Sequence, residues 1–327
     1  MRSRPNPAFL PALAASVAAA LSAGPTYAQT WPTKPIRVMV TVPPGGAADV
    51  VARLAAPKMG DALGQPLLIE NSAGQFGTIA AARVARSAAD GHTLMFTTPS
   101  SQILAHFTIR EVPYTIADHT PVTAAVETVS ALAVNPSLPV KNVKEFVEHV
   151  KRNPGKVNYG AGAAGSVFFL MMESFMAATD TSLFHVPYKG VIDAVNATVS
   201  GDVQATMSSL SNLRTHIPGG KLRVLGVLEG KRFGPLSDIP TIGESVPGFE
   251  KPQSWFGLFG PANMPTAVTQ RLYAEMAASL KSADIRSKLE GAGMDVIANT
   301  PEEFAAMIKR GFATYGAVAK RAGLKPQ

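Results

Sequence analysis

The chain has 327 residues, with 30 basic and 23 acidic side chains, a formal net charge of +7, and no cysteine. The absence of cysteine excludes disulfides, thiolate nucleophiles, cysteine-ligated metals and a lipid-bearing cysteine. The basic residues are dispersed, so nucleic acid is not an expected partner, and the mild basic excess suits an anionic small ligand. The length permits two domains with separate cores.

Residues 1–28 have the pattern of a secretory signal peptide. Arg2 and Arg4 precede an apolar run over residues 9–21, and Ala28 supplies a small residue at the expected cleavage point. The apolar run is shorter than the roughly 20 residues that a membrane-spanning helix needs. We therefore expect cleavage after Ala28 and export of the mature chain.

Short runs of β-branched residues alternate with longer Ala-rich segments of helical period along the mature chain. "IRVMVTV" precedes "AADVVARLAAPKMGDAL", "PLLIEN" precedes "GTIAAARVARSA", and the alternation continues through "KVNYG", "SLFHVPY" and "KLRVLGVL". A Pro/Gly-rich stretch then leads into a mostly helical tail. This pattern predicts an α/β fold with parallel or mixed sheets flanked by helices.

Three segments share a strand, a turn of glycine and small residues, and an Ala-rich helix: residues 42–54, 70–84 and 158–172. Such turns present free backbone N–H groups at a helix N-terminus, where the helix dipole favours an anion. One such turn alone is typical of a tight connection. Three of them favour an anion site built from backbone amides where the carboxyl ends of strands meet.

The third turn, "YGAGAAGS", also matches the dinucleotide fingerprint G-x-G-x-x-G at Gly160, Gly162 and Gly165. That fingerprint needs an acidic residue at the end of the following strand, which here ends in Tyr188 and Lys189. Lys189 as a partner for a 2′-phosphate leaves NADP as an alternative. Because bare glycine motifs often match by chance, we predict that the chain binds no NAD(P) and no other cofactor.

Motifs for catalysis and for metal binding are absent from the sequence. There is no P-loop, no G-x-S-x-G elbow and no H-x-x-x-H or H-E-x-x-H pair among the six histidines. We interpret His185 as a hydrogen-bonded core residue. Thr300 and Glu303 have the spacing of a capping box, which gives the acids there a structural role. We predict no catalytic residue and no metal site.

Seven segments in chain order carry a resemblance to a known family: "WPTKPIRVMVTVPPGGAADVVARL", "NPSLPVKNVKEF", "FHVPYKG", "GKLRVLGV", "DIPTIGES", "SWFGLFGPANMP" and "TPEEFAAMI". Together they closely resemble Bug-type extracytoplasmic receptors of the tripartite tricarboxylate transport system. The resemblance covers essentially the whole mature chain. It implies a two-lobed periplasmic binding protein of the Venus-flytrap, type II-like form, each lobe a mixed sheet flanked by helices.

The resemblance also implies a function without catalysis. A small carboxylate would bind between the lobes in the periplasm and pass to the membrane subunits of the transporter. Lobe one is expected at residues 29–128 plus 251–327 and lobe two at residues 129–250, from the apolar crossover "TAAVETVSALAVN" and the Pro/Gly-rich return before "SWFGLFG". We expect a monomer, because a flytrap must open and shut.

By resemblance, the ligand residues follow strand ends in both lobes. In lobe one they are Pro43, Pro44, Gly45, Gly46, Asp49, Gly74, Gln75, Phe76, Gly77, Thr78, Ser100 and Ser101. In lobe two they are Ala163, Ala164, Gly165, Ser166, Val167, Tyr188, Lys189 and Ser208. Structural roles stay open for the side chains, since Asp49 suits the dipole of a helix's first turn and Lys189 suits solvent.

Three departures from the family pattern concern the ligand. Val167, Phe168 and Phe169 replace a polar run, "AGQFG" at residues 73–77 replaces a small glycine turn, and serines at 208 and 209 replace an Asp-Asn pair. Losing that aspartate disfavours a ligand amino group. We predict a monocarboxylate with an apolar or aromatic body, its head on backbone amides and its body against Phe76, Val167 and Phe168.

Two other classes of protein use the same kind of cleft. An exported sensor or co-receptor would present the loaded lobes to a signalling kinase instead of a transporter. An exported enzyme would need a nucleophile or an acid–base pair, for which Asp49, Tyr188 and Lys189 are the available groups.

Overall fold

Residues 31–326 are the part of the chain that the computed structural model describes, and they form eleven strands and ten α-helices. The strands are β1 (Ile36–Val40), β2 (Leu67–Asn71), β3 (Thr93–Thr97), β4 (His119–Thr128), β5 (Ser130–Val134), β6 (Asn158–Ala161), β7 (Phe184–Pro187), β8 (Ala205–Ser209), β9 (Arg223–Val227), β10 (Trp255–Pro261) and β11 (Met294–Val296). The helices are α1 (Ala47–Leu63), α2 (Thr78–Ala85), α3 (Ala105–Thr108), α4 (Val143–Arg152), α5 (Val167–Thr179), α6 (Val191–Ser200), α7 (Leu210–Leu213), α8 (Thr266–Lys281), α9 (Ala283–Gly291) and α10 (Pro301–Arg321). The predicted signal peptide lies outside the described residues.

The two sheets share one arrangement. Their strand orders are β11-β4-β10-β3-β1-β2 and β7-β6-β8-β5-β9. In the first, β1 pairs in parallel with β2 and β3; in the second, β6 pairs in parallel with β7 and β8. The other pairs are antiparallel. This confirms the predicted two-lobed α/β fold in which each lobe is a mixed sheet flanked by helices.

The chain passes between the two sheets twice. β4 leads through Val129 directly into β5, and the segment between β9 and β10 returns to the first sheet. The residues at which each lobe ends stay a prediction. Within the described part of the chain, no helix combines the length and the apolar character needed to cross a membrane.

Helix starts follow from local sequence chemistry. The Thr300 side chain accepts a hydrogen bond from the Glu303 N–H at 3.2 Å, and Glu303 accepts one from the Thr300 N–H at 3.0 Å. The predicted capping box is therefore confirmed at the start of α10. At the start of α4, Asn142 accepts from the Glu145 N–H at 2.9 Å. Each cap satisfies N–H groups that the helix itself leaves free.

Helix α10 packs against both lobes. Near its start, the Phe304 ring lies 4.9 Å, centroid to centroid, from both Trp255 and Phe259 of β10. A Cβ atom at Gly257 would lie 2.5 Å from Phe304 Cζ, so this close approach requires glycine. Farther along, α10 contacts α5 of the second lobe, and one apolar core cluster includes side chains from both sheets.

The passage between the sheets contains a buried ion cluster. Lys251 Nζ lies 3.0 Å from Glu127 Oε2 and contacts Glu229 Oε1. Burial opposes the charge on Lys251, but the two carboxylates outweigh burial and hold the pKa of Lys251 above its ordinary value. Glu229 also accepts a hydrogen bond from the Ser130 N–H at 3.0 Å. The cluster thus joins both crossings.

Replacing Lys251 by methionine would leave the buried Glu229 carboxylate beside the half-buried Glu127 carboxylate with no cation between them. We expect the free energy of unfolding to fall by about 3–5 kcal/mol, as when one partner of a buried ion pair is removed. Lys231→Met is the control, because Lys231 pairs with Asp295 but its side chain is 73% exposed; its loss should be below about 1 kcal/mol. Urea denaturation measures both variants, and equal losses would contradict the importance of burial.

Candidate ligand-binding site

Strand direction gathers the predicted ligand residues into two groups. Because β1, β2 and β3 run parallel, the segments that follow them meet at one edge of the first sheet. The same holds for β6, β7 and β8 in the second sheet. We call these sets the first group of turns (residues 42–46, 72–78 and 98–101) and the second group of turns (residues 162–167, 188–190 and 208–209).

Asp49 fixes the first turn, residues 42–46, through hydrogen bonds. Its carboxylate accepts hydrogen bonds from the Gly45 N–H at 2.9 Å, Arg53 Nε at 2.9 Å and Asn71 Nδ2 at 2.8 Å. The side chain is 3% exposed. Burial alone would raise the pKa of Asp49, but these three donors outweigh it and lower the pKa. The arrangement gives Asp49 a positioning role, with its acceptor sites already engaged.

The second turn has four consecutive residues with positive φ: Gly74 at 127°, Gln75 at 43°, Phe76 at 58° and Gly77 at 87°. Glycine adopts this region freely, whereas an L side chain there costs about 1–2 kcal/mol. Packing of the Phe76 side chain offsets little of this strain, because the side chain is 55% exposed. The strained backbone and the exposed ring together suggest that Phe76 has a functional role.

A chain of buried hydroxyls lies beneath the second turn. Thr41 Oγ1 and Thr97 Oγ1 are 2.9 Å apart, Thr97 Oγ1 and Ser101 Oγ are 2.5 Å apart, and the Tyr114 hydroxyl donates to the Ser101 carbonyl at 2.6 Å. A Cβ atom at Gly77 would lie 2.7 Å from Thr41 Cβ. Sequence reasoning missed the supporting threonines and the tyrosine; the one available signal was threonine at the ends of two neighbouring strands.

The third turn, which connects β6 to α5, is held through its carbonyl groups. Three successive carbonyls accept hydrogen bonds: Gly160 from Thr206 Oγ1 at 2.9 Å, Ala161 from the Tyr188 N–H at 2.9 Å, and Gly162 from His185 Nε2 at 3.0 Å. The predicted hydrogen bond of His185 is therefore confirmed, but the residue is half-buried and not part of the buried core. The following N–H groups, of Ala163, Ala164 and Gly165, have no acceptor among residues 31–326.

The remaining predicted side chains of the second group differ in exposure. The Tyr188 ring lies close to Gly160, where a Cβ atom would be 3.2 Å from Tyr188 Cε2. Burial, followed by Asp202, raises the pKa of the Tyr188 hydroxyl. Lys189 is exposed, while Ser208 is buried and accepts a hydrogen bond from Asn212 Nδ2 at 3.1 Å.

Val167 and Phe168, at the start of α5, are partly buried and pack against the apolar core cluster. Ser166 precedes them, and its Oγ is buried without a hydrogen-bond partner among the described residues. In the first group, Ser100 is half-buried and its N–H donates to Thr98 Oγ1 at 3.3 Å. The exposed side chains of the site are thus few and include Gln75, the Phe76 ring and Lys189.

Two cavities of the described chain lie away from these turns. One of about 880 Å³ is lined by residues of α1, β2 and their connection, and one of about 300 Å³ lies between residues 210–236 and 290–293. No predicted ligand residue lines either cavity. Residues 31–326 also contain no group of three His, Asp or Glu side chains placed to hold a metal ion.

The model of the tripartite tricarboxylate transporter family receptor, TctC, matches residues 51–324. The chain belongs to this receptor family. BugT of Bordetella pertussis is 30% identical over 312 residues, which cover 94% of this chain and 95% of BugT. The resemblance to Bug-type receptors is therefore confirmed, and the chain is a periplasmic solute-binding protein of this family.

Two solved structures of Rhodopseudomonas palustris proteins are similar to this receptor. Rpa4515 with adipate has a TM-score of 0.73 and 33% identity, covering 91% of this chain and all of that one. MatC with bound malate has a TM-score of 0.68 and 28% identity, covering 88% of this chain and all of that one. Both relatives therefore hold a small dicarboxylate.

Gly77→Ala and Gly45→Ala form a matched pair that tests whether the second turn packs on Thr41. Both glycines have positive φ, at 87° and 79°, but a Cβ at Gly45 would meet nothing within 4 Å. We expect Gly45→Ala to lower the free energy of unfolding by about 1 kcal/mol from backbone strain, and Gly77→Ala by about 2–4 kcal/mol, because the turn must also move off Thr41. Chemical denaturation measures both; equal losses would show that the turn does not rest on Thr41.

Proposed function

We propose that this receptor captures a small carboxylate between its two groups of turns and delivers it to the membrane subunits of a tripartite tricarboxylate-type transporter. Membership of the receptor family supports the capture and delivery role. The adipate and malate bound to two relatives support a carboxylate ligand. The protein acts by binding alone and changes no bond in its ligand.

The free amides of Ala163, Ala164 and Gly165 carry this proposal. They have no acceptor among the described residues and they lie directly before α5, a helix of 13 residues. Unpaired N–H groups and the positive end of a helix dipole both favour a negatively charged group. A carboxylate satisfies these donors without a basic side chain, and the exposed Lys189 adds longer-range attraction.

The exposed ring of Phe76 supports an apolar or aromatic body for the ligand. An apolar group placed against that ring removes apolar area from water, which offsets part of the cost of its backbone conformation. Ser208 and Ser209 offer no negative charge to a ligand amino group, and Asp49 is already hydrogen-bonded. We therefore favour a monocarboxylate over the dicarboxylates of the relatives.

Isothermal titration of residues 29–327, refolded from denaturant to remove carried-over ligand, tests this proposal. Hexanoate and adipate are a matched pair, because both have six carbons and they differ in the second carboxylate; benzoate, citrate and NAD(P)H complete the panel. We expect hexanoate and benzoate to bind at least about tenfold more tightly than citrate, ~1.4 kcal/mol, and more tightly than adipate.

Each outcome of the titration has a separate meaning. Tighter binding of adipate or citrate would overturn the monocarboxylate and leave the carboxylate receptor in place. Binding of NAD(P)H without binding of any of the carboxylates would overturn the proposal that the protein is a carboxylate receptor. Loss of uptake of the bound acid in a strain that lacks this protein tests delivery, and unchanged uptake would overturn it.

Phe76→Ala tests the contact with the ligand's body. We expect the dissociation constant for benzoate to rise about tenfold, ~1.4 kcal/mol of lost apolar contact, while Phe76→Leu retains most of the affinity. Phe184→Ala is the control, because that ring is 61% exposed on the edge strand β7. An equal loss in the control, or no loss in Phe76→Ala, would contradict the role of Phe76.

A further inference from the structure

Helix α10 connects the two groups of turns. Its middle is fixed beside the first group, because a Cβ at Gly311 would lie 2.7 Å from Ile103 Cδ1, and Ile103 belongs to the short π-helix Ser100–Leu104 that begins within that group. The Tyr315 hydroxyl donates to the Gln253 carbonyl at 2.6 Å, which ties the helix to the segment that leads into β10. These contacts leave the middle of α10 little freedom to move relative to the first lobe.

The residues after α10 reach the second group of turns. The chain reverses at Gly323, with φ of +65°, and the Leu324 N–H donates to the Ala319 carbonyl at 3.0 Å. The reversal places the Leu324 side chain against Gly165, where a Cβ atom would lie 3.4 Å and 3.5 Å from the two Leu324 methyl carbons. Leu324 therefore lies beside the turn whose amides have no acceptor among the described residues.

That turn has few other supports. The Ser166 N–H donates to the Ala163 carbonyl at 2.9 Å, and His185 Nε2 lies 3.0 Å from the Gly162 carbonyl. Ala163 and Ala164, which lie between Gly162 and Ser166, are both exposed. A segment with few hydrogen bonds and few buried contacts opens easily, and a ligand that orders it loses affinity in doing so. A side chain that packs on the turn reduces this cost.

We propose that Leu324 is a positioning residue for the glycine turn at residues 162–166, and that α10 couples this turn to the first group. The inference rests on the proposed function of the same site. Since α10 is fixed near Ile103 and its end reaches Gly165, a change in the angle between the lobes changes the contact between Leu324 and Gly165. Ligand affinity then depends on a side chain that the ligand does not touch.

Leu324→Ala, with Leu324→Met as the conservative variant, tests this inference. We expect the dissociation constant for hexanoate to rise about three- to tenfold in the alanine variant, the size expected for ordering a short loop on binding. In the ligand-free protein, we expect faster hydrogen exchange at the Ser166 amide, which is hydrogen-bonded to the Ala163 carbonyl and closes the turn. Methionine should restore both values. Leu68→Ala is the control, because Leu68 is 46% exposed on the edge strand β2.

Three outcomes separate this inference from the proposed function. If the unmodified receptor binds hexanoate and Leu324→Ala changes neither affinity nor exchange, the positioning role is overturned alone. A lower melting temperature with an unchanged dissociation constant would show that Leu324 only contributes to packing, and it would also overturn the positioning role. If no carboxylate binds the unmodified receptor, the proposed function fails, and the exchange rates of the ligand-free variants still decide the role of Leu324.

Discussion

Parallel pairing on both sides of one strand in each sheet is the constraint on which the candidate site depends. Because β1 has parallel neighbours on both sides, three strands end at the same edge, and β6 imposes the same order on the second sheet. A single antiparallel neighbour would send one turn to the opposite edge. The position of the site is therefore decided by topology before any ligand-binding side chain is considered.

The polar side chains around the site mostly hold backbone in place. Asp49 fixes the first turn, the hydroxyls of Thr41, Thr97 and Ser101 underlie the second, and His185 bonds to the third. Each is buried or half-buried and has a partner within the protein. In the proposed function, this division leaves backbone amides to meet the charge of a carboxylate, so few basic residues are needed nearby.

Features that depend on neighbouring residues were predictable from the sequence. The βα alternation, the glycine turns and the capping box at Thr300 each express local chemistry, and the structure contains them. The hydrogen bond from Asn71 to Asp49 and the ion cluster around Lys251 were not predictable, because Asn71 is 22 positions from Asp49 and Ser130 meets Glu229 across 99 positions of sequence. The positive φ of Phe76 also lay beyond prediction, since phenylalanine rarely adopts it.

The conformation of Gln75 and Phe76 has a consequence for protein engineering. Both residues occupy backbone that glycine would adopt without strain, so glycine at either position should make the free protein more stable. Selection for heat resistance alone would therefore replace the exposed ring early, and would do so without disturbing the sheets beneath it. Under the proposed function, a substitution of Phe76 that raises thermal tolerance would also remove the ring proposed to contact the ligand.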